Sequence, residues 1–291
     1  MRYAFFPGCS MKSTAHEFEM STLAVARSLG IELEEIPDWT CCGSTPAHAT
    51  DALLAASLPA RNLAIAESLG LDVVTCCAAC YSRLAAANLA ISQDARLRAE
   101  VADAIGTEYS GGVRVLHFLQ VLNESTGIDE LRDSVVAGLG GLKVACYYGC
   151  LLTRPRELSI VNVSNGADPE DPQVMEKILT AAGAEPIEWS YKTECCGASF
   201  SITRTDTVKR LSGDILRMAK ASGAKCVAVA CPLCHTNLDL RQADIESATG
   251  EKIGLPVFFF TQLLGRALGI PDSELGIGKL MTDPYRVLSS K

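Results

Sequence analysis

The sequence has 291 residues, 48% of them hydrophobic, and a formal charge of −8 at pH 7. This length suits two modest domains, and the apolar content is enough to bury a core in each. The negative charge and the scattered lysines and arginines argue against a nucleic-acid surface. No segment approaches the roughly eighteen apolar residues of a transmembrane helix, and residues 1–7 lack the apolar stretch of a signal peptide. We therefore expect a protein of the reducing cytoplasm.

Strands and helices alternate along the first half. Apolar runs bounded by Gly or Pro predict the strands, and helical periodicity predicts the segments between them. The predicted strands are 2–6, 31–36 and 71–75, and the predicted helices are 16–29, 47–69 with a bend or an interruption at Pro59, and 81 onwards. Cysteines follow each strand, and open α/β sheets place their sites at the carboxyl ends of strands.

Each half carries the same arrangement of five cysteines: a single cysteine, an adjacent pair followed by glycine, and a closing CxxC. In both halves 34 residues separate the pair from the CxxC. Thirteen cysteines in all cannot pair completely, and a chain without signs of secretion favours metal ligands over disulfides. The ten repeated cysteines are Cys9, Cys41, Cys42, Cys77 and Cys80, then Cys150, Cys195, Cys196, Cys231 and Cys234.

The segments around the cysteines repeat as well. Residues 3–9 align with 144–150, and 113–120 align with 255–262. This internal repeat predicts an α/β fold of two tandem homologous domains related by a pseudo-twofold. A flexible turn at 138–141 (GLGG) marks the boundary. The predicted domains are 1–138 and 142–291.

Some features occur in only one copy. The first half has an extra helical stretch at 85–108, and the second has a loop at 162–172 that is either a surface connection or a lid over the site. Three cysteines have no cysteine at the equivalent position. Cys146 and Cys226 lie on predicted strands and are expected to pack in the core, whereas Cys76 is either a packing residue or an alternative ligand.

Five thiols per copy indicate which metal is bound. A zinc ion and a cubane iron–sulfur cluster each need only four ligands. A cluster in which one thiolate bridges two irons uses all five, and the adjacent cysteines suit it because neighbouring side chains reach neighbouring metals. Zinc in one of the two halves stays open as an alternative.

Several motifs carry a resemblance to a known family: 6–9 (FPGC), 38–43 (DWTCCG), 60–63 (ARNL), 147–150 (YYGC), 231–235 (CPLCH) and 260–264 (FTQLL). With them the chain resembles the cysteine-rich CCG domain in each half. From residue 3 to about residue 269 it resembles the B subunit of heterodisulfide reductase, in its bacterial form.

The resemblance implies cofactors, partners and an activity. Each CCG motif is expected to bind a noncubane 4Fe–4S cluster, and the two clusters together to reduce a disulfide or a related sulfur carrier. The implied partners are the iron–sulfur C subunit and the flavin-bearing A subunit of such a reductase. The implied ligands are Cys9, Cys41, Cys42, Cys77 and Cys80 for one cluster and Cys150, Cys195, Cys196, Cys231 and Cys234 for the other.

A function from another class stays open. Similar CCG proteins serve as electron-transfer subunits beside unusual succinate dehydrogenases, passing electrons towards quinone, and lactate-utilisation proteins are a weaker third possibility. The electron-transfer function predicts a membrane-facing amphipathic segment, for which 256–268 is the best candidate. The VFFF at 257–260 favours a buried strand instead, and with it the reductase.

Few other side chains suit catalysis. His235 is the candidate catalytic residue, because it follows Cys234 and a histidine suits proton delivery to a departing thiolate. Hydrogen bonding to a cluster sulfur is the alternative. Arg154 and Arg204 bind either an anionic substrate tail or local acids, and His48 lies within possible reach of the first cluster.

The duplication also predicts a mechanism. The pseudo-twofold is expected to bring the two clusters within roughly 5–10 Å of each other across an open cleft, so that each takes one sulfur of the disulfide. His235 and the loop 162–172 are expected to border that cleft.

Overall fold

A computed structural model describes residues 1–161 and 166–288, apart from the side chain of Ser125. It contains two four-stranded parallel sheets, ordered β2-β1-β3-β4 and β6-β5-β7-β8. Matching β1–β4 to β5–β8 gives the same strand order in both, which confirms the two tandem α/β units. The strands are β1 (Arg2–Phe5), β2 (Glu32–Glu35), β3 (Val73–Thr75), β4 (Val115–His117), β5 (Lys143–Tyr147), β6 (Glu185–Pro186), β7 (Cys226–Val229) and β8 (Val257–Phe259).

Helices connect the strands of each sheet, as parallel connections require. The first half contains α1 (Gly8–Met11), α2 (His16–Ser28), α3 (Ser44–Thr50), α4 (Ala52–Ser68), α5 (Ala78–Gln93), α6 (Ala95–Ile105), α7 (Phe118–Gln120), a π-helix (Val121–Thr126) and α8 (Ile128–Asp133). The second contains α9 (Val174–Ala181), α10 (Thr205–Ala221), α11 (Pro232–His235), a π-helix (Thr236–Leu240), α12 (Gln242–Thr249), α13 (Phe260–Ala267) and α14 (Tyr285–Leu288). Short 3₁₀ turns lie at Arg156–Leu158, Ala198–Phe200 and Ile277–Lys279.

The helix predicted at 47–69 is interrupted at a different residue from the one expected. Asp51, not Pro59, separates α3 from α4: it is extended, with φ −153° and ψ 131°, and its side chain accepts a 2.7 Å hydrogen bond from the Leu54 amide. An aspartate in this position satisfies a free amide of the first turn and so starts a new helix. Pro59 lies buried inside α4.

The two halves differ in length after the CxxC. The helical stretch predicted at 85–108 is the second part of α5 together with α6. The second half has α11, a π-helix and the short α12 in the same place, so it too is helical but shorter. The turn at 138–141 lies between α8 and β5, and the division into domains 1–138 and 142–291 stays a prediction.

Reciprocal helix packing joins the halves. Helix α2 packs against α13, and α9, the equivalent of α2, packs against α7 and α8. The rings of Phe18 and Phe259 stack with centroids 4.0 Å apart, and the hydroxyls of Ser21 and Thr261 lie 2.7 Å apart in the buried interface. Two such contacts related by exchange of the halves are what a pseudo-twofold requires.

The segment 256–268 forms β8 and α13 and belongs to this interface. Phe259, Phe260, Leu263 and Leu264 are fully buried. The prediction that this segment faces a membrane is therefore wrong, because its apolar side is covered by the first half, and the buried-strand interpretation is confirmed. Within the described residues no helix is long and apolar enough to cross a bilayer.

Candidate metal centre

The strand-to-helix connections bring the repeated cysteines to the carboxyl edge of each sheet. Cys77 directly precedes α5, and Cys231 directly precedes α11, where the chain leaves its sheet. Cys9 lies in α1, immediately after the first strand. Parallel strands end at the same edge of a sheet, so residues distant in sequence meet there.

Equivalent thiols meet with the same geometry in both halves. The Sγ atoms of Cys42 and Cys80 lie 3.5 Å apart, as do those of Cys196 and Cys234. The adjacent pair therefore contacts the closing CxxC in each half, which brings separate motifs into one cysteine set.

All five cysteines of the second set line one cavity. The cavity measures about 600 Å³ including its open mouth, and the first half contributes part of its wall. The cavity thus lies between the halves. Its lining includes Cys150, Cys195, Cys196, Cys231 and Cys234 from the second half, and Ser44, Thr45, Ala78, Ala79 and Arg83 from the first.

A glycine leaves room beside a cysteine sulfur in each set. A Cβ at Gly8 would lie 2.8 Å from Sγ of Cys80, and one at Gly149 would lie 3.0 Å from Sγ of Cys234. Both glycines also have positive φ, +70° and +68°. Any larger residue would clash with the sulfur and strain the backbone, so these positions serve the thiol sets.

Neighbouring thiols change one another's proton affinity. Hydrogen bonds from Cys41 and Cys80 lower the pKa of Cys42 to about 3. A hydrogen bond from Cys150 lowers the pKa of Cys195 to about 6. The thiolate is the form that binds metal, so one thiol in each set is held in that form, while the same hydrogen bonds raise the pKa values of its neighbours Cys41 and Cys150.

The two sets approach each other across the interface between the halves. The Cys231 thiol of the second half lies close enough to Cys77 of the first to raise its pKa. Above them His117 contacts the carbonyl oxygens of Cys76 and Ala230 at 2.9 and 3.2 Å. The sequence analysis did not single out His117, which in the structure is a buried link between the halves.

The donor set decides which group fits. Among residues 1–161 and 166–288, no three His, Cys, Asp or Glu side chains stand at the geometry of a single metal ion. Each half instead offers five thiols, with a glycine that leaves space beside one sulfur, and in the second half all five face a common cavity. This arrangement fits an iron–sulfur cluster, which takes thiolate ligands on several irons.

His235 lies beside the second set with its ring turned to the core. Its Nε2 is 3.0 Å from the carbonyl oxygen of Val257, and its ring stacks on Phe259 at 4.2 Å. Burial lowers its pKa. His235 is not among the residues that line the cavity, contrary to the expectation that it borders the cleft, because its position on α11 directs it to β8. Its role as a proton donor stays a prediction.

The other predicted polar residues lie around the centre in different settings. Arg154 pairs with Glu170 at 2.5 Å, so the local-acid alternative holds for it. Arg204 is exposed at the start of α10, and His48 is exposed at the end of α3.

The loop 162–172 can be followed only in part, since 162–165 lie outside the described residues. Glu170 binds Arg154, and Asp171 binds the buried Lys192 at 2.6 Å. Residues 167, 168, 171 and 172 line a separate cavity together with Asn123 and Glu124 of the first half, not the cavity that the cysteines line. None of the described residues of the loop lines the cavity with the cysteines, so for this part the expectation that it borders the cleft is wrong; two ion pairs connect it to Arg154 and Lys192 instead.

The three unrepeated cysteines are fully buried. Cys146 and Cys226 lie on β5 and β7, as predicted for packing residues. Cys76 directs its sulfur to Thr22 Oγ1 at 3.5 Å, so its side chain points to α2 and not to the thiol set.

Arg83 is a cavity residue that sequence reasoning missed. It lies on α5 three residues after Cys80, and its Nε is buried without a hydrogen-bond partner. The internal repeat offered a signal. His235 aligns with Tyr81, and Arg83 therefore aligns with Asn237. A charged residue in the first half thus occupies the position of a neutral amide in the second.

Two α/β halves, each with a thiol set at the carboxyl edge of its sheet, define a duplicated cysteine-rich protein. The family model for the CCG cysteine-rich domain matches residues 3–85 and 144–239, and the chain belongs to this family.

Relatives of known assignment are subunits of redox enzymes. The chain is 35% identical to the membrane anchor subunit of the 8-methylmenaquinol:fumarate reductase of Wolinella succinogenes, over 98% of each chain. It is 29% identical to the B subunit of the Ferredoxin/F(420)H(2)-dependent CoB-CoM heterodisulfide reductase of Methanosarcina acetivorans, over 95% of this chain and 92% of the relative. A protein of Archaeoglobus profundus, named as similar to the heterodisulfide reductase B subunit, is 27% identical over 100% and 99%. The predicted resemblance to the B subunit is confirmed.

A solved structure shares the fold. A hypothetical protein from Helicobacter pylori superposes with a TM-score of 0.78 at 10% identity, over 97% of this chain. The chain spans about half, 52%, of that protein. At this identity the likeness concerns the fold alone.

Proposed function

We propose that the protein is the catalytic subunit of a heterodisulfide-reductase-like complex, which reduces or forms a disulfide or a related sulfur substrate. The observation that carries the proposal is the contact between the two thiol sets, Cys77 against Cys231, beside a cavity that both halves line. Two equivalent thiol sets, one lining this cavity and the other beside it in the first half, match a reaction that moves two electrons. The relatives named as heterodisulfide reductase B subunits support it.

The proposed cofactors are two noncubane 4Fe–4S clusters. When bound, they supply one electron each to the two sulfurs of the substrate. The chain's part is to hold them at a common cavity and to keep the two CxxC loops in contact. The proposed ligands are Cys9, Cys41, Cys42, Cys77 and Cys80 in the first half and Cys150, Cys195, Cys196, Cys231 and Cys234 in the second.

The proposed partners are the iron–sulfur C subunit and the flavin-bearing A subunit of such a complex, in the cytoplasm. Relatives that are named as the B subunit of a reductase imply further subunits. Electrons would enter from such a partner and leave through the substrate sulfurs.

Metal analysis and turnover test this function together. Anoxically purified protein should contain about eight irons per chain, the sum of two four-iron clusters, with matching acid-labile sulfide. With reduced viologen as electron donor it should release two thiols per disulfide. Only half of that iron together with stoichiometric zinc would show that one half is a zinc site and would overturn the two-cluster mechanism.

One observation favours a second candidate, an electron-transfer subunit of a quinone-linked complex. The relative from Wolinella succinogenes is a membrane anchor subunit of a menaquinol:fumarate reductase. For this function the reduced protein should be reoxidised by a menaquinone analogue and not by disulfides. The same stopped-flow experiment with both oxidants separates the two candidates.

A further inference from the structure

Arg83 carries a positive charge and has no carboxylate partner among the described residues. Its Nε is buried and has no hydrogen-bond partner, and no carboxylate among the described residues pairs with its guanidinium. Arg154, on the other side of the centre, is paired in a bidentate way with Glu170. The charge of Arg83 acts on the Cys42 thiol, whose pKa it helps to lower, but the Nε atom still lacks a hydrogen-bond acceptor, which a ligand in the cavity would supply.

The equivalent position in the second half is already satisfied. Asn237 donates from Nδ2 to the carbonyl oxygen of Cys196 at 3.3 Å and to its Sγ at 3.5 Å, and its Oδ1 accepts from Ser201 at 3.1 Å. The repeat thus departs from symmetry at this place. One half uses a neutral amide to hold its own cysteine loop, and the other places Arg83 in the wall of the shared cavity and of a second cavity on the first half.

Hydroxyl groups accompany Arg83 in the cavity wall. Ser44 and Thr45 follow the first cysteine pair, and Ser199 follows the second. Thr45 Oγ1 lies 3.3 Å from Ser199 Oγ across the halves, where either atom can donate. Hydroxyl donors beside a guanidinium make a site that prefers an oxyanion, because Arg presents several N–H groups in a fixed fork.

We propose that Arg83 binds an acidic group of the sulfur substrate, a carboxylate or an oxyanion of similar charge, in the cavity between the halves. The substrate class is then a thiol or disulfide with a negatively charged tail on at least one side. This inference rests on the proposed reduction of a sulfur substrate. Arg83 acts as a specificity-determining residue and is not a ligand in either cysteine set.

A matched pair of disulfides tests the proposal. Dithiodipropionate and its diamide have the same shape and differ in charge. The wild-type protein, with reduced viologen as donor, should show a KM about tenfold to a hundredfold lower for the acid, the range of a charged hydrogen bond. Arg83→Gln should remove this preference, and Arg83→Lys should keep part of it.

Arg98→Gln is the control. Arg98 lies on α6, and its Nε is also buried without a partner, but it does not line the cavity. This variant should keep the wild-type preference. Equal KM values for acid and amide in the wild-type protein would overturn the proposal, as would an Arg83→Gln variant that weakens both disulfides equally or loses iron.

A binding measurement separates this proposal from the proposed function. Thiodipropionate is an acidic thioether that cannot be reduced, so its affinity is measured by anoxic calorimetry without turnover. Its Kd should rise about tenfold to a hundredfold in Arg83→Gln and stay unchanged in Arg98→Gln. If neither disulfide is turned over, the proposed reductase function is wrong. The calorimetric measurement then still decides whether Arg83 binds acids. An unchanged Kd in Arg83→Gln overturns the inference.

Discussion

His117, in the first half, places its Nε2 atom 3.2 Å from the carbonyl oxygen of Ala230 in the second. The same atom lies 2.9 Å from the carbonyl oxygen of Cys76. Its N–H is therefore shared between the residues that directly precede Cys77 and Cys231, the first cysteines of the two CxxC motifs. One buried side chain thus holds together the loops whose thiols touch at the interface.

We expect His117 to make stability depend on pH. Burial lowers its pKa from 6.5 to about 4, so the folded protein keeps the ring neutral where the unfolded chain already binds a proton. The stabilisation is complete above pH 6.5 and is lost as the pH falls towards 4, by up to about 3 kcal/mol. Thermal unfolding of the anoxic protein between pH 7 and pH 4.5 measures this loss.

His117→Phe provides the comparison, since Phe259 stands at the equivalent position. The variant leaves two buried carbonyls without their donor, so it should be less stable by about 1–3 kcal/mol at pH 7. It should also lose the part of the pH dependence that belongs to His117. His16→Gln, which changes an exposed histidine, should keep the wild-type stability and its pH dependence. Identical pH profiles for wild type and His117→Phe would contradict this assignment.

Gly149→Ala should disturb the second metal centre more than its backbone strain alone explains. The new methyl group would lie 3.0 Å from Sγ of Cys234, and a left-handed alanine costs about 1–2 kcal/mol. Gly70→Ala is the matched control, because Gly70 has φ +67° and no atom within 4 Å. We expect a similar loss of stability in both, with iron lost only in Gly149→Ala. Equal iron contents would show that the space beside the sulfur is not needed.

Replacing single cysteines should separate ligands from packing residues. Cys195→Ala or Cys231→Ala should remove the spectrum of one cluster and leave the other. Cys226→Ala, on the buried strand β7, should leave both and cost on the order of 1–2 kcal/mol as a small core truncation. Electron paramagnetic resonance of the reduced variants, together with iron counts, measures how many clusters each variant keeps. A missing cluster in Cys226→Ala would show that the repeat assigned it wrongly.

We expect Lys192 to stabilise the folded protein through a buried ion pair. Its side chain is 3% exposed and lies 3.2 Å from Glu176, which is 8% exposed. Burial raises the pKa of Glu176, so this carboxylate depends on its cation. Lys192→Met leaves the buried Glu176 carboxylate without its cation and should destabilise the protein by about 3–5 kcal/mol at pH 7. Glu188→Gln, which changes the exposed partner at 3.7 Å, should have little effect in the same denaturation measurement.

The sequence by itself determined the duplication, the parallel α/β class and the two sets of five cysteines. It could do so because these features are periodic: an apolar strand, a cysteine and a helix recur at fixed spacing, and the spacing of the CxxC is the same in both halves. The buried strand at β8 was predictable for a similar reason, since four apolar residues in a row have no exposed face.

Only the tertiary structure decided how the two sets meet and which side chains serve the cavity. His117 and Arg83 carry no local pattern, because their partners are a carbonyl in the other half and an open space. His235 follows a cysteine in sequence, yet its place on α11 directs the ring to β8 and Val257. Contacts across the pseudo-twofold join residues far apart in the chain, 113 positions for His117 and Ala230, and the orientation of a side chain on a helix depends on what packs against that helix. Periodicity along the chain contains neither kind of information.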